Sequence, residues 1–479
     1  MDFLGRTHEL EILREGLPPG EVRDRACLTV IYGRRRVGKT RLVEEAYRGD
    51  ALLRFEGLER QPTPEQQKVF LQRLAEQSGR PEYRLLRTSS WTDILIALAG
   101  HLAQSHPDRP VGVLLDEFPW MAAGRTKLVS SLKYVWDNYL SKHKRLHLIL
   151  CGSIGSFLLK KVVRSQALYG RVGREIHLKP LELPEIRDVF QPQRSLREVV
   201  ELYMALGGIP QYLEMVKPSL STRANLEDLC FSRDGLLTTE FERIFASHFG
   251  SGGHFRSILE QLAKKGPTTR EKLARACGLT PGGRISEYLE ELELAGFVER
   301  YAPADRPQAA RLVRFRIADP YVLFYFRFIR PALHEIQRSN GRPDLLKYVS
   351  PSRYATWQGL AFEHLCCQHA PLVAERLGFG SVRYSSGPWF SRGAGEHSSQ
   401  IDLLYVRADR ILTVCEVKFQ DEKVGKGVIA EVEAKVKALS NRRRWTVEKV
   451  LISASGVTED LARERYFSRI LGLEDLFGD

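Results

Sequence analysis

The segment CLTVIYGRRRVGKTRLVEEAY, residues 27–47, constrains this chain more than any other stretch. An apolar run, Leu28–Tyr32, reads as a buried parallel strand. GxxxxGKT follows from Gly33 to Thr40, and then an amphipathic run reads as a helix. Gly33 and Gly38 permit a loop whose N–H groups wrap phosphate oxygens, and the helix adds its positive N-terminal end. In such a cradle Lys39 reaches the β- and γ-phosphates and Thr40 places its hydroxyl on Mg²⁺. Arg34, Arg35, Arg36, Val37 and Arg41 complete the loop and its exit. The three loop arginines read as solvent-exposed charge with some capacity to steer phosphate.

A nucleotide site of this kind needs a second strand that ends in acids. VGVLLDEF supplies it: Val111–Leu115 is apolar, and Asp116 and Glu117 follow. Asp116 is expected to serve the Mg²⁺ of bound ATP and Glu117 to orient the attacking water. LHLILCGS is a further strand, and Ser153 at its end is placed to sense a γ-phosphate. Amphipathic runs around Glu65–Gln77, Trp91–Gln104 and Lys127–His143 alternate with these strands, which predicts a three-layer α/β sandwich. In LYGRVGREIHL, Arg171 and Arg174 are candidates for a γ-phosphate arginine in cis or from a second copy, or are simply surface charge. In ALGGIPQYL, Gly207-Gly208 allows a sharp turn that Pro210 fixes.

Taken in order, FLGRTHELEIL, YGRRRVGKT, LLDEF, CGS, LYGR and GGIP resemble the archaeal-type ATPase family within the AAA+/STAND group of P-loop NTPases. The resemblance covers roughly residues 1–330. It implies ATP at Gly33–Thr40, Mg²⁺ and water at Asp116 and Glu117, and Pro210 near adenine. Ser153 departs from the Asn or Thr that many AAA+ proteins carry there.

The 479 residues exceed one ordinary core. The boundaries read as an ATPase core 1–182, a helical lid 183–251, a winged helix 252–320, a helical linker 321–350 and a C-terminal α/β domain 351–479. HFRSILEQLAKKGPTTREKLARACGLTPGGRISEYLEELELAGFVERY reads as three helices leading into a wing, with Thr268 or Thr269 capping the second helix. The third helix suits a DNA reader poorly: Glu287, Glu290, Glu291 and Glu293 repel phosphate on any face turned to a duplex. The wing arginines Arg300, Arg306, Arg311 and Arg314 suit backbone contact better. A lid or protein-docking role stands beside weakly specific DNA binding. IADPYVLFYFRFIRPAL places aromatics at helical spacing and reads as interdomain packing.

In the last domain the strand LTVCEVKF puts Glu416 and Lys418 on one face. SQIDLLYV with the short turn RADR makes a hairpin that brings Asp402 toward Glu416. Glu363 sits among apolar positions of YATWQGLAFEHLCCQHA, where an acid needs a partner. With EVEAKVKAL and VEKVLISAS the order is α, β, β, α, β. This region resembles the PD-(D/E)xK domain often fused to archaeal-type ATPases, with Ile401 where that motif has Pro. The resemblance implies Mg²⁺ held by Asp402, Glu416 and the Val417 carbonyl, with Glu363 completing the shell, Lys418 positioning water and Gln400 assisting. SNRRRW, with Arg442, Arg443, Arg444 and Trp445, is a basic aromatic patch that tracks a nucleic-acid backbone or caps a helix.

The net charge of +13 suits a polyanion partner. Its excess lies in the first domain: 30 basic against 21 acidic side chains in residues 1–182, but 18 against 17 in residues 351–479. Seven scattered cysteines without a CxxC read as reduced core residues, hence a cytoplasmic protein. The longest apolar run, LHLILCGSIGSFLL, is too short to span a bilayer. The combined expectation is an ATP-hydrolysing protein acting on DNA through backbone contacts, with a Mg²⁺-dependent nuclease site gated by the ATPase. A homo-oligomer or protein partner is compatible with it. The alternatives are a STAND-type regulatory switch and an ATP-dependent transcription regulator, both with an inactive C-terminal domain.

Overall fold

The structure is a computed structural model. It describes residues 3, 5–15, 26–86, 88, 90–106, 109–124, 126–153, 155–164, 168–190, 192–250, 252–280, 282–305, 313–339, 344–390, 399–439 and 444–478. Arg306, Arg311, Arg442 and Arg443 lie outside these residues. Two compact units result: Met1–Pro180 with Ile209–Gln211 and Leu294–Gly296, and Leu181–Gly208 with Tyr212–Glu293 and Phe297–Asp479.

The first unit is built on five parallel strands: β1 Cys27–Tyr32, β2 Ala51–Glu56, β3 Val111–Asp116, β4 Leu146–Gly152 and β5 Arg174–His177. Their order across the sheet is β2-β3-β4-β1-β5. Every residue of β1, β3 and β4 is buried, as strands covered on both faces require. Leu28, Val30 and Tyr32 face one core with helices Thr63–Ser78, Trp91–Ser105 and Leu128–Asn138. Ile31 faces a second core with Leu13, Leu42 and Val43 from helices Thr7–Arg14 and Lys39–Ala46. The polar His147 in β4 is tolerated because Thr29 Oγ1 and Tyr47 Oη each lie 2.7 Å from its ring nitrogens.

Parallel strands end at one edge of a sheet, so this topology gathers the chemistry. The loop after β1, the acids after β3 and Ser153 after β4 share that edge. Because β4 lies between β1 and β3, Ser153 stands between the cradle and the acids.

In the second unit helices run from Leu183–Phe190 to Leu236–Phe249, residues 209–211 belonging to the first unit. The winged helix follows, with helices Gly253–Lys265, Arg270–Ala276 and Gly283–Leu294 and a three-stranded sheet in the order β6-β8-β7. These strands are β6 Thr268–Thr269, β7 Val298–Tyr301 and β8 Arg314–Ile317. Thr269 caps the second helix by accepting from Lys272 N. Ile285, Leu289 and Leu292 fill the core from the third. In the aromatic segment after β8, Tyr321, Phe324, Tyr325 and Phe328 are fully buried, which fits packing.

The C-terminal domain opens with helix Pro351–Gln368 and carries a five-stranded sheet ordered β13-β12-β11-β10-β9. These are β9 Tyr384–Phe390, β10 Gln400–Arg407, β11 Ile411–Lys418, β12 Thr446–Ser453 and β13 Arg469–Leu471. β9, β10 and β11 run antiparallel, and β12 and β13 then run parallel to β11. The expected α, β, β, α, β order therefore gains two edge strands. β9 was hidden because YSSGPWF holds Gly387 and Pro388, and proline is tolerated on an edge.

The winged helix docks on the first helix of this domain through a charged cluster. Glu299 of β7 accepts from Arg316 Nε at 2.5 Å, and His364 Nε2 lies 2.8 Å from the same oxygen. Burial opposes ionisation of Glu299, but Arg316 and His364 outweigh it and hold the carboxyl at about 2.

Candidate functional sites

The cradle forms as GxxxxGKT dictates. A Cβ on Gly33 would sit 2.2 Å from the carbonyl oxygen of Leu178, so only glycine fits. Gly38 has φ +93, which other residues adopt only under strain. Lys39 is buried and donates to the carbonyls of Gly33 and Arg34 at 3.1 and 3.0 Å. Thr40 donates to Asp116 at 2.8 Å. Val37 is core, and Arg41 is exposed. Arg34 corrects the expectation of three solvent-exposed arginines: it is 4% exposed, whereas Arg35 reaches the surface 3.8 Å from Glu59. Arg36 takes φ +70 in the loop. Pro210 stands beside the cradle: a methyl on Gly38 would lie 3.9 Å from its Cγ.

Asp116 is 3% exposed and holds Thr40, Arg54 at 3.1 Å and the N–H of Glu117 at 3.0 Å. Glu117 adopts φ +46 and accepts from Ser153 N and Oγ. Ser153 thus engages Glu117 directly, a contact the γ-phosphate reading did not anticipate. Arg54 is a residue that sequence reasoning missed. Its signal was a lone arginine inside the apolar strand ALLRFE, next to β3.

Arg171 is paired within the chain. Its guanidinium forks onto Asp137 at 2.6 and 2.8 Å. The chain passes Leu28, at the start of β1, through the 2.9 Å bond from Gly173 N. At about 3.3 Å per residue, Arg171 is roughly 15 Å from the cradle, at the opposite edge of the sheet. Arg174 begins β5 and pairs with Glu15. Both are engaged by acids of their own chain.

The second site lies in the C-terminal domain. The β10–β11 hairpin pairs Leu403 with Cys415, which carries Asp402 beside Glu416. Asp402 is 6% and Glu416 1% exposed. Asp402 accepts from Val417 N at 3.0 Å. Glu416 binds Lys418 at 3.1 Å and Lys435 at 2.5 Å, and Lys435 also lies 3.5 Å from Asp402. Gln400 donates to Glu363 at 3.2 Å. Burial and the neighbouring charge of Asp402 push the Glu363 carboxyl up. Burial and Glu416 push Asp402 up. Burial works against the Lys418 ammonium, but Glu431 and Glu416 outweigh it and raise it.

The hairpin therefore unites Asp402, Glu416 and Lys418, and the charges of Asp402 and Glu416 act on Glu363. Hard carboxylate oxygens suit Mg²⁺, and Asp402, Glu416 and the Val417 carbonyl are the donors of that kind. Among the described residues, no three His, Cys, Asp or Glu side chains are grouped to hold an ion. The three-carboxylate shell that included Glu363 is thus not assembled here. Lys435 was missed; its signal was the spacing Val428, Val432, Lys435, which puts it on the buried side of helix Gly427–Ala438.

Of the wing arginines, Arg314 lies over the Phe390 ring at 4.4 Å and Arg300 pairs with Glu293. Both are engaged within the chain.

Comparison with known proteins bears on the first site. Residues 3–216 match the family described as an ATPase domain predominantly from Archaea. This supports ATP binding and hydrolysis by that segment. Residues 253–302 match the DprA winged helix domain, in line with the fold there. Residues 325–435 match a family of archaeal and bacterial proteins of unknown function. An uncharacterized protein of Methanocaldococcus jannaschii is 26% identical over 425 residues, 88% of each chain. Among solved structures, the chain is similar to a Walker-type ATPase of Pyrococcus abyssi at 20% identity and TM-score 0.48, covering 68% of this chain and 96% of that one. It is also similar to the ORC2 protein of Aeropyrum pernix at 16% identity and TM-score 0.42, covering 71% and 96%. Among the described residues, no helix is long and apolar enough to cross a membrane.

Proposed function

We propose that this chain is an ATP-hydrolysing protein that acts on DNA, with a Mg²⁺-dependent phosphodiesterase site in its C-terminal domain gated by the ATPase. The observation that carries the reading is the pair of constellations, each assembled from separate strands: Lys39, Thr40, Asp116, Glu117 and Ser153 in one, Asp402, Glu416 and Lys418 in the other.

At the first site the cradle N–H groups and Lys39 bind phosphate oxygens, which requires Lys39 to leave the carbonyls of Gly33 and Arg34. Glu117 holds the attacking water and accepts its proton. Thr40 and Asp116 would hold the Mg²⁺ of the nucleotide, which supplies neutralising charge on the phosphates. At the second site Asp402, Glu416 and the Val417 carbonyl would hold Mg²⁺, which lowers the pKa of a bound water and stabilises charge on phosphorus. Lys418, fixed between Glu416 and Glu431, orients that water or the phosphate. The positive excess of the N-terminal domain supports a backbone-led, weakly sequence-specific DNA contact.

Contacts inside the second unit support the gating part of this reading. Arg197 of helix Leu196–Leu206 donates to Gln420 O at 3.0 Å, pairs with Asp421 at 2.6 Å and lies over the Phe419 ring at 4.4 Å. Phe419 directly follows Lys418, and Phe419 packs on Phe362, the neighbour of Glu363.

A second reading, a regulatory ATPase switch with an inactive C-terminal domain, is favoured by the lysines that balance the acids. Two assays separate the readings: ATP turnover in wild type and Lys39→Ala, and Mg²⁺- or Mn²⁺-dependent cleavage of labelled DNA by wild type and Glu416→Ala. Turnover lost in Lys39→Ala and cleavage lost in Glu416→Ala support the proposal. Turnover without any cleavage supports the switch.

A further inference from the structure

Lys435 occupies a position that the acids of the second site define. Each oxygen of Glu416 takes a different ammonium: Oε1 that of Lys418 and Oε2 that of Lys435. Asp402 turns Oδ1 toward the same Lys435 at 3.5 Å, while its Oδ2 takes Val417 N–H. The two carboxylates of the hairpin thus meet on one ammonium. The other acids of helix Gly427–Ala438 hold other lysines: Glu431 holds Lys418 and Glu433 holds Lys449. Lys418 joins Glu416 to Glu431 of the helix, whereas Lys435 joins Glu416 to Asp402, the two acids of the hairpin.

We propose that Lys435 is the resident cation of this site, held by the two carboxylates that would hold a divalent ion, and that ion binding displaces it. This inference rests on the reading of those two carboxylates as cation ligands. It assigns the two lysines different roles. Lys418 stays and orients. Lys435 keeps the buried acids charge-balanced before the ion arrives and sets the ion's affinity by competition. A compact ammonium carries one charge and makes no coordinate bond, so a divalent ion at sufficient concentration replaces it.

The test uses the full-length protein and Mn²⁺ alone, without nucleotide, followed by electron paramagnetic resonance. The site's share of binding is the part lost in Glu416→Gln. Lys435→Gln is expected to tighten that share about tenfold or more, because it removes a competing charge at hydrogen-bond range. Lys435→Arg, which keeps the charge, is expected to stay within about threefold of wild type. A measurement on wild type alone guards against a Gln variant that does not fold: acetylation of lysines by acetic anhydride, read by mass spectrometry. Saturating Mn²⁺ is expected to speed modification of Lys435 several-fold and to leave Lys418 unchanged. Equal Mn²⁺ affinity in wild type and Lys435→Gln, or a Lys435 rate indifferent to bound Mn²⁺, overturns the displacement while the metal site stands. Mn²⁺ binding that is insensitive to Glu416→Gln in every variant overturns both.

Discussion

Ser153 donates its backbone N–H and its hydroxyl to one oxygen of Glu117, at 3.3 and 3.1 Å. The strand order produces this contact, since β4 runs between the cradle strand and the acid strand. Glu117 also adopts a left-handed backbone, so its carboxylate direction is set by both the turn and the serine. A hydrogen bond to a charged group is worth about 1.5–3 kcal/mol. Ser153→Ala is therefore expected to lower ATP turnover about tenfold or more while changing ATP affinity less than about threefold. Steady-state hydrolysis beside equilibrium binding of a fluorescent ATP analogue checks it; a matched loss in binding would instead assign Ser153 to the nucleotide.

Asp116 carries Thr40 and Arg54 on one oxygen. Asp116→Asn halves the acceptor capacity of a buried group and removes its charge. It is expected to reduce Mg²⁺-dependent turnover at least about a hundredfold, with nucleotide binding in the absence of metal retained. Arg54→Ala is expected to be milder, because Thr40 still holds the aspartate. Nucleotide titrations with and without Mg²⁺ separate the two.

The loop and acids of the first site were largely legible in the sequence, and the reasons are local. Gly33, Gly38, Lys39 and Thr40 lie within eight residues, and an apolar strand followed by acids needs no partner to be recognised. What the sequence hid depends on strand order. Ser153 meeting Glu117 and Arg54 meeting Asp116 follow from neighbours in the sheet that lie about 36 and 62 positions apart in the chain. The partner of Arg171, Asp137, was hidden for the same reason: it lies 34 positions away in the chain. In the C-terminal domain the hairpin was legible from RADR between two apolar runs. Lys435 was missed, because in a helix rich in charge only its spacing from Val428 and Val432 sets it apart from the other lysines.

The Glu299–Arg316–His364 cluster makes the second unit sensitive to acid. Glu299 is held at about 2, below an unfolded value of about 4.3, so its stabilisation is complete above that value and is lost as pH falls toward 2. Burial, and then Arg316, lower His364, which adds loss in the same direction as pH falls below the unfolded value of about 6.5. Melting temperature measured from pH 7 to pH 2.5 is expected to fall in wild type. Glu299→Gln is expected to melt lower at pH 7 and to show a flatter profile below pH 4.5. An unchanged slope in the variant would remove Glu299 from the acid response.

Arg197 ties helix Leu196–Leu206 to the residues that follow Lys418. Hydrogen exchange of residues 412–424 is expected to change on adding a non-hydrolysable ATP analogue to wild type. In Arg197→Ala the same change is expected to shrink at least about threefold, with analogue binding intact. An equal response in both proteins would show that coupling, where present, runs elsewhere.

Gating is the central claim, and cleavage with and without ATP tests it most directly. Labelled single-stranded, duplex and branched DNA would be incubated with Mg²⁺ or Mn²⁺ and wild type, Lys39→Ala or Glu416→Ala. The account predicts metal-dependent cleavage by wild type that ATP alters several-fold, the ATP effect lost in Lys39→Ala, and all cleavage lost in Glu416→Ala. Cleavage that is indifferent to ATP and to Lys39, or intact in Glu416→Ala, would contradict it.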